Sequence, residues 1–321
     1  MENKDIKATI IIPLHNEASI VANMLTTLFT VIGFGDYEVL VGLDACTDNT
    51  ADIVKQFKWV RLFEYKNRRG KNAVVNELIK SSVSDIIFIH DADWNLKCDK
   101  TKLDEVIGVL KKDALIGGVV LDVDNFNIRY EGDNYKCSMA FRGEILSSRL
   151  LREYQFAHCT AMEDGMYFTH KENAHFPFML NILKKRHIEP MLTTGDDIER
   201  WLALAAQRDV KILLLRHDSG IYLEINDNSK SFKTLFLRHT RSHLSNFNIY
   251  RHYGYKISLF KFYIPATFYL FVKLCRYKNI YNIASVTMWY ACSVTAFILA
   301  KILSIGRIST KTLWKFRANR S

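Results

Sequence analysis

The chain has 321 residues, 49% of them apolar, with 14 Gly and 4 Pro. That excludes a disordered chain and allows one large α/β domain or two smaller ones, each with material for a core. The net charge of +10 is uneven: residues 228–321 hold 16 Lys or Arg and no Asp or Glu, while residues 1–227 hold all 34 acids and carry a net −6. A tail of that kind seeks anions such as phospholipid headgroups, nucleic acid or a phosphorylated acceptor. Cysteines 46, 98, 137, 159, 275 and 292 are widely spaced with no CxxC, which argues against a zinc ribbon or a disulfide framework. They read as reduced thiols of a cytoplasmic protein. The charged start, MENKDIKATI, shows no signal-peptide pattern, so the chemistry is expected to face the cytoplasm.

The first half alternates regularly. Strands are expected at 8–14, 37–44, 60–65, 85–93 and 114–123. Helices are expected at 16–31, 48–57, 71–82 and 101–112. This β-α-β order implies a Rossmann-like, mostly parallel sheet sandwiched by helices. Residues 124–164 read as irregular, with a helix near 138–154. A short strand at 165–170, a helix at 196–207, a strand at 211–215 and a basic helix at 231–247 follow. Two apolar segments close the chain. Residues 262–272 are too few to span a bilayer alone, whereas the uncharged run 279–300 is long enough. A helical hairpin and an in-plane amphipathic segment both fit. The expected division is 1–227, an α/β catalytic domain, and 228–321, a basic helical region associated with a membrane.

The run IIFIHDAD ends in Asp91 and Asp93, one residue apart. On an extended segment two such carboxylates point the same way and repel. A hard divalent cation, Mg²⁺ or Mn²⁺, removes that conflict and typically shares a substrate diphosphate. Other polar residues also fall at strand ends: Pro13, His15, Asn16 and Glu17 after the first, Asp44 after the second. Arg68, Arg69, Gly70 and Lys71 precede a helix. In a parallel sheet these converge on one edge, where ligands bind. An acid-lined pocket beside cations at a helix start suits a nucleotide diphosphate. Taken singly, each of these segments also reads as ordinary turn chemistry.

The succession IIPLHNE, LDACTDNTADIV, NRRGKNAVVNEL and HDAD resembles family 2 glycosyltransferases of the GT-A fold. GMYFTHKENA (165–174) and TTGDDIERW (193–201) continue the likeness, and RHTRS (238–242) extends it weakly. The resemblance implies an inverting transferase that takes a nucleotide-activated sugar, commonly UDP-linked. It implies that Pro13, His15 and Glu17 line the nucleotide pocket and that Asp44 hydrogen-bonds the base. Lys71 would sit near the nucleotide, Asp91 near the ribose or metal, and Asp93 on the metal. Arg238 and Arg241 would meet the diphosphate. The catalytic base would be Asp197 or its neighbour Asp196, the family register favouring Asp197. Here His15 stands where the family has an aromatic residue, Ala45 replaces an acid, and Leu237 and His239 break the last motif.

A base has its own rationale. A sugar hydroxyl is a poor nucleophile, and a carboxylate that accepts its proton accelerates attack roughly 10²–10⁴-fold. A single in-line displacement inverts the anomeric centre. The acid-free tail favours a glycan or lipid-linked acceptor at an anionic membrane surface on the cytoplasmic side. It lacks the patterns of nucleic-acid-binding modules, so no nucleic-acid partner is expected. The alternatives are a nucleotidyltransferase, which lacks its phosphate loop after the first strand here, and a non-catalytic sugar-nucleotide sensor.

Overall fold

The structure is a computed structural model. It describes residues 6–124, 139–157, 160–161, 166–169, 180–191, 199–201, 203–204, 207, 210–215, 219–225, 232–253, 264–276 and 280–305. The alternation runs β1 (Ala8–Leu14), α1 (Val21–Ile32), β2 (Tyr37–Asp44), α2 (Thr50–Val54), β3 (Arg61–Tyr65), α3 (Lys71–Ser81) and β4 (Ile86–Ile89). It continues with β5 (Trp94–Lys97), α4 (Lys100–Lys112) and β6 (Ile116–Asp124). Then come α5 (Met139–Phe156), β7 (Thr160–Ala161), β8 (Met166–Thr169), β9 (Leu180–Lys184), β10 (Lys211–Leu215) and β11 (Tyr222–Ile225). Helices α6 (Phe232–Tyr253), α7 (Ile264–Arg276) and α8 (Ile280–Ile305) follow.

The chain divides into two compact units. The first comprises residues 1–124, 160–192 and 199–227, and the second residues 125–159, 193–198 and 228–321. In the first, the main sheet has the order β3-β2-β1-β4-β9-β6-β10-β8-β7. The β3-β2-β1-β4 half is parallel throughout. Strands β1, β2 and β4 are rich in Ile, Leu and Val and buried on both faces, as a helix-covered parallel sheet requires, while the edge strand β3 is partly exposed. Helix α1 seals one face with Val21, Met24, Leu25, Leu28 and Ile32, a stripe at helical spacing.

Three departures from the expected elements have physical causes. Helix α1 begins at Val21 rather than at residue 16. Asn16 adopts a left-handed φ of 55°, which an α-helix does not accommodate. Strand β4 stops at Ile89, and Trp94 N donates to Asp91 O (3.2 Å), closing a turn. The chain emerges as β5, which runs antiparallel to β11, and β11 runs parallel to β6. Asp91 and Asp93 therefore lie in a turn, not on an extended strand. Finally, β9 inserts antiparallel between β4 and β6. The β6–β9 ladder shifts register between Val119 and Val120, and the buried Asn181 side chain accepts from Leu121 N (3.0 Å) beside the shift.

The second unit is helical. Within it α8 packs along α5 and α6, and α5 also meets α7. Leu150, Leu270, Leu274 and Val286 form one apolar cluster, and Ala140, Leu235 and Cys292 another. Glu144 on α5 pairs with Arg238 and lies 3.4 Å from His239 Nε2. His243 Nε2 lies 3.4 Å from Ser293 Oγ. Burial, reinforced by neighbouring His239, holds the His243 imidazole down to about 4.

A histidine held neutral in the fold contributes its full stability above the unfolded value of about 6.5, and loses it as pH falls towards the folded value. The stability difference between the wild-type protein and His243→Gln should therefore shrink by on the order of 1–2 kcal/mol between pH 7 and pH 5. Urea unfolding across that range measures it. A flat difference would contradict the buried, neutral assignment.

Candidate active site

The site is built at the carboxyl ends of β1, β2 and β4, all in the first unit. Pro13 pairs with Gly42 across the β1–β2 ladder, which aligns the two strand ends. The loops that follow are tied to each other. Asn16 Oδ1 accepts from Thr47 N (2.8 Å), and Asn16 Nδ2 donates to Thr47 Oγ1 (3.1 Å). Glu17 N donates to Thr50 Oγ1 (2.8 Å), and Ala18 N to Asp48 Oδ2 (3.1 Å). Asp48 also accepts from Thr50 N (3.1 Å) and Thr50 Oγ1 (2.5 Å). Partial burial pushes the Asp48 carboxyl up, but these donors outweigh it and hold the group below its usual range. Among the described residues, Asn16 and Ala45, with φ of 55° and 53°, are the non-glycine residues with left-handed backbone, and both lie in these loops. Strain concentrated where two strands end is a recurrent mark of functional loops.

Asp44 is the hub. Its side chain is 4% exposed. Its Oδ1 accepts from Arg69 N (2.6 Å), and its Oδ2 from Gly70 N (2.9 Å) and Arg68 Nε (3.0 Å). Its carbonyl lies 2.6 Å from His15 Nδ1. Burial lowers the His15 pKa against the pull of that contact, and Arg68 adds to the lowering. Gly70, at φ 90°, occupies a backbone region closed to most residues and sits at the N-cap of α3. The buried carboxylate thus positions the start of α3, whose first residue is Lys71. Lys71 Nζ lies 2.7 Å from Asp91 Oδ2. A continuous set of contacts runs from His15 through Asp44 and the 68–70 turn to Lys71 and Asp91.

Asp93 shares the turn with Asp91, and Trp94 behind it packs partly on the main core. His90 is 1% exposed and lies against Phe88. Burial holds its imidazole down to about 4. Among the described residues no three His, Cys, Asp or Glu side chains converge on a metal position. The two carboxylates of the 91–93 turn suit a hard cation that keeps waters and takes its remaining oxygens from a phosphate ligand. They do not suit a closed protein cage.

Of the residues singled out in the sequence, Pro13, His15, Glu17, Asp44, Lys71, Asp91 and Asp93 gather in this one region. Asp196 and Asp197 lie outside the described residues. The helical residues that follow, 199–201, are buried, with Arg200 Nη1 3.3 Å from Met191 Sδ. Arg238 and Arg241 lie on α6 in the second unit, where Arg238 pairs with Glu144. The sequence did not reveal the structural use of Asp44, nor the lattice joining Asn16, Thr47, Asp48 and Thr50. Only the density of Asn, Asp and Thr in the two loops hinted at it.

Removing the hub has a defined cost. Asp44→Ala leaves two backbone N–H groups and a guanidinium without their buried acceptor, which should destabilise the first unit by roughly 2–4 kcal/mol. Asp44→Asn keeps one acceptor oxygen and should cost less. Urea midpoints rank the two, and equal midpoints for both variants and wild type would remove Asp44 from its anchoring role.

Residues 9–168 match the family described as Glycosyl transferase family 2. None of the curated proteins matches the chain. Among solved structures, the mannosyltransferase PcManGT from Pyrobaculum calidifontis, in complex with GDP-Man and Mn²⁺, is similar with a TM-score of 0.60 at 15% identity, over 94% of this chain and 88% of that one. Glucosyl-3-phosphoglycerate synthase from Mycobacterium tuberculosis, in complex with Mn²⁺, UDP and phosphoglyceric acid, reaches 0.50 at 11% identity, over 77% of this chain and 78% of that one. At such identities these likenesses establish a shared fold, the GT-A type expected from the motifs. Through the domain that contains these strand ends, the chain belongs to glycosyl transferase family 2.

Proposed function

We propose that this glycosyltransferase moves a sugar from a nucleoside diphosphate donor, UDP-linked, onto a hydroxyl of a glycan or lipid-linked acceptor, with inversion, at the cytoplasmic face of a membrane. The observation that carries it is the convergence, at one edge of a parallel sheet, of Asp91 and Asp93 with the cationic start of α3. That pairing of acids and cations is what a metal-bridged diphosphate requires.

The roles divide by chemistry. Pro13, His15 and Glu17 form one wall for the nucleotide. His15, kept neutral by burial, offers a ring face in place of the family's aromatic residue. Asp44 has three of its roughly four acceptor positions taken, so it leaves at most one for a base N–H. Lys71 offers a positive charge to a phosphate oxygen, and Arg238 and Arg241 are the further cations proposed for the diphosphate. Asp93, with Asp91, would hold Mg²⁺ or Mn²⁺. When bound there, such an ion supplies charge neutralisation for the departing diphosphate. Asp197, or Asp196 beside it, accepts the proton of the acceptor hydroxyl. Attack from the face opposite the diphosphate then inverts the anomeric carbon. The two structural neighbours named above carry GDP-Man with Mn²⁺ and UDP with Mn²⁺, which supports the donor class and the cation and leaves base identity to experiment. The acid-free tail and the apolar α8 support a membrane-facing acceptor.

Nucleotide release tests this. Purified protein is incubated with UDP- and GDP-sugars, membrane lipid extract, and Mn²⁺, Mg²⁺ or EDTA. Release from one donor that needs the metal is expected, with a loss of roughly 10²-fold or more in Asp93→Asn and in Asp197→Asn. Metal-dependent nucleotide binding with no release from any donor would replace the transferase with a sensor. An unchanged rate in Asp93→Asn would remove the metal role of the 91–93 turn.

A further inference from the structure

Helix α8 is amphipathic in the reverse sense of a soluble helix. Its buried side is a seam of mostly small residues, with Ser285, Cys292, Ala296 and Ala300, and is filled out by Val286 and Trp289, which pack into the two apolar clusters. Its outward side carries the large aliphatics: Ile280 is 81% exposed, Ile298 54%, Ile302 59% and Ile305 74%. With 3.6 residues per turn these four, together with Val294, fall on one stripe, which is continued between Ile280 and Val294 by the exposed Ala284, Thr287 and Ala291, and the exposed Tyr281 and Tyr290 lie on its two edges. Soluble helices bury large apolar side chains and expose polar ones. The seam is also unusually close. A Cβ on Gly143 of α5 would stand 2.0 Å from Ser285 O, so α5 and α8 touch through backbone. Small residues at a tight crossing with aliphatics turned outward is how helices pack beside lipid.

The helix is long and apolar enough to cross a bilayer. Its partners argue against a crossing. Arg142 of α5 donates to Asn282 Oδ1 (3.1 Å), His243 of α6 meets Ser293 (3.4 Å), and Arg251 of α6 donates to Ser304 Oγ (3.1 Å). These contacts extend along α8 for about 33 Å at 1.5 Å per residue. A transmembrane α8 would carry α5 and α6, with Arg142, Glu144, Arg238 and Arg251, through every depth of the hydrocarbon. Charges at such depths are strongly disfavoured. If α8 instead lies flat, all of them stay on the water side.

We infer that α8 is an in-plane membrane anchor, its aliphatic stripe bedded in an anionic bilayer surface and its small-residue seam holding α5 and α6 above the headgroups. Charge complementarity selects the occupant, since residues 228–321 carry 16 Lys or Arg and no acid. Tyrosines at the stripe edges suit the headgroup level. The inference deepens the proposed membrane-facing acceptor site and rests on it.

The test adds the full chain, from dilute detergent, to preformed sealed vesicles of phosphatidylcholine with or without phosphatidylglycerol. Flotation is expected with the anionic vesicles only. The double variant Ile298→Asp, Ile302→Asp should lose at least tenfold of the bound fraction while keeping its circular dichroism and its vesicle-free nucleotide release. Tyr281→Cys and Lys301→Cys, exposed positions near the two helix ends and on the edges of the stripe rather than within it, each in a Cys275→Ser background, should both react with an impermeant maleimide from outside once the parent's labelling is subtracted. No flotation of the wild-type protein with anionic vesicles would overturn the anchor. Protection of one helix end would mean that α8 spans, and would overturn the in-plane placement. Self-association through the stripe without vesicle binding would assign the face to a second copy, and would overturn the lipid assignment. Nucleotide release without vesicles reports on the transferase alone, so its loss is distinguishable from failure of the anchor.

Discussion

The buried carboxylate of Asp44 organises the candidate site. It ends β2, fixes three donors of the 68–70 turn, and so sets where α3 begins. That turn leads directly into α3, whose first residue, Lys71, meets Asp91. An ionised carboxylate inside a protein is tolerated when donors surround it. Here two of the donors are backbone amides of the helix start, and the third is a guanidinium. The sheet supplies rigidity, the carboxylate converts it into the position of a cation, and the cation meets an acid of the turn that follows β4.

The alternation of strands and helices over the first half was legible because each buried strand is a short Ile- and Val-rich run and each helix carries a clear apolar stripe. The region of the site was legible for the same reason: polar residues follow those runs directly. What escaped the sequence was of another kind. WNLK and YLEI are four-residue strands with no periodicity of their own, and only their pairing with each other and with β6 makes them strands. LNILK lies antiparallel in an otherwise parallel neighbourhood, a tertiary choice that a local pattern does not encode. The turn at 91–94 is closed by a backbone hydrogen bond that no local pattern announces.

Long-range organisation was the hardest to read. Helix α5 was expected from its pattern, yet nothing in its sequence names its partners. The structure groups it with the C-terminal helices rather than with the sheet. Gly143 explains that grouping in retrospect, because the absence of a side chain lets α5 meet the backbone of α8. The resemblance implied a diphosphate for Arg238, and the structure pairs its side chain with Glu144, which is carried by that same α5.

The contact between Lys71 and Asp91 has a thermodynamic consequence. Each ion occupies the position in which the other's ligand would act. An anion that drew Lys71 away would weaken the compensation of the Asp91 charge, and so would raise its affinity for a cation. A cation on Asp91 releases Lys71 in turn and raises its affinity for an anion. Two ligands of opposite sign would therefore promote each other's binding by the same factor in both directions. Were the proposed cation and anion to bind at these two groups, the ion pair would favour the two together over either alone, a form of coincidence detection contained in a single contact at the mouth of the sheet.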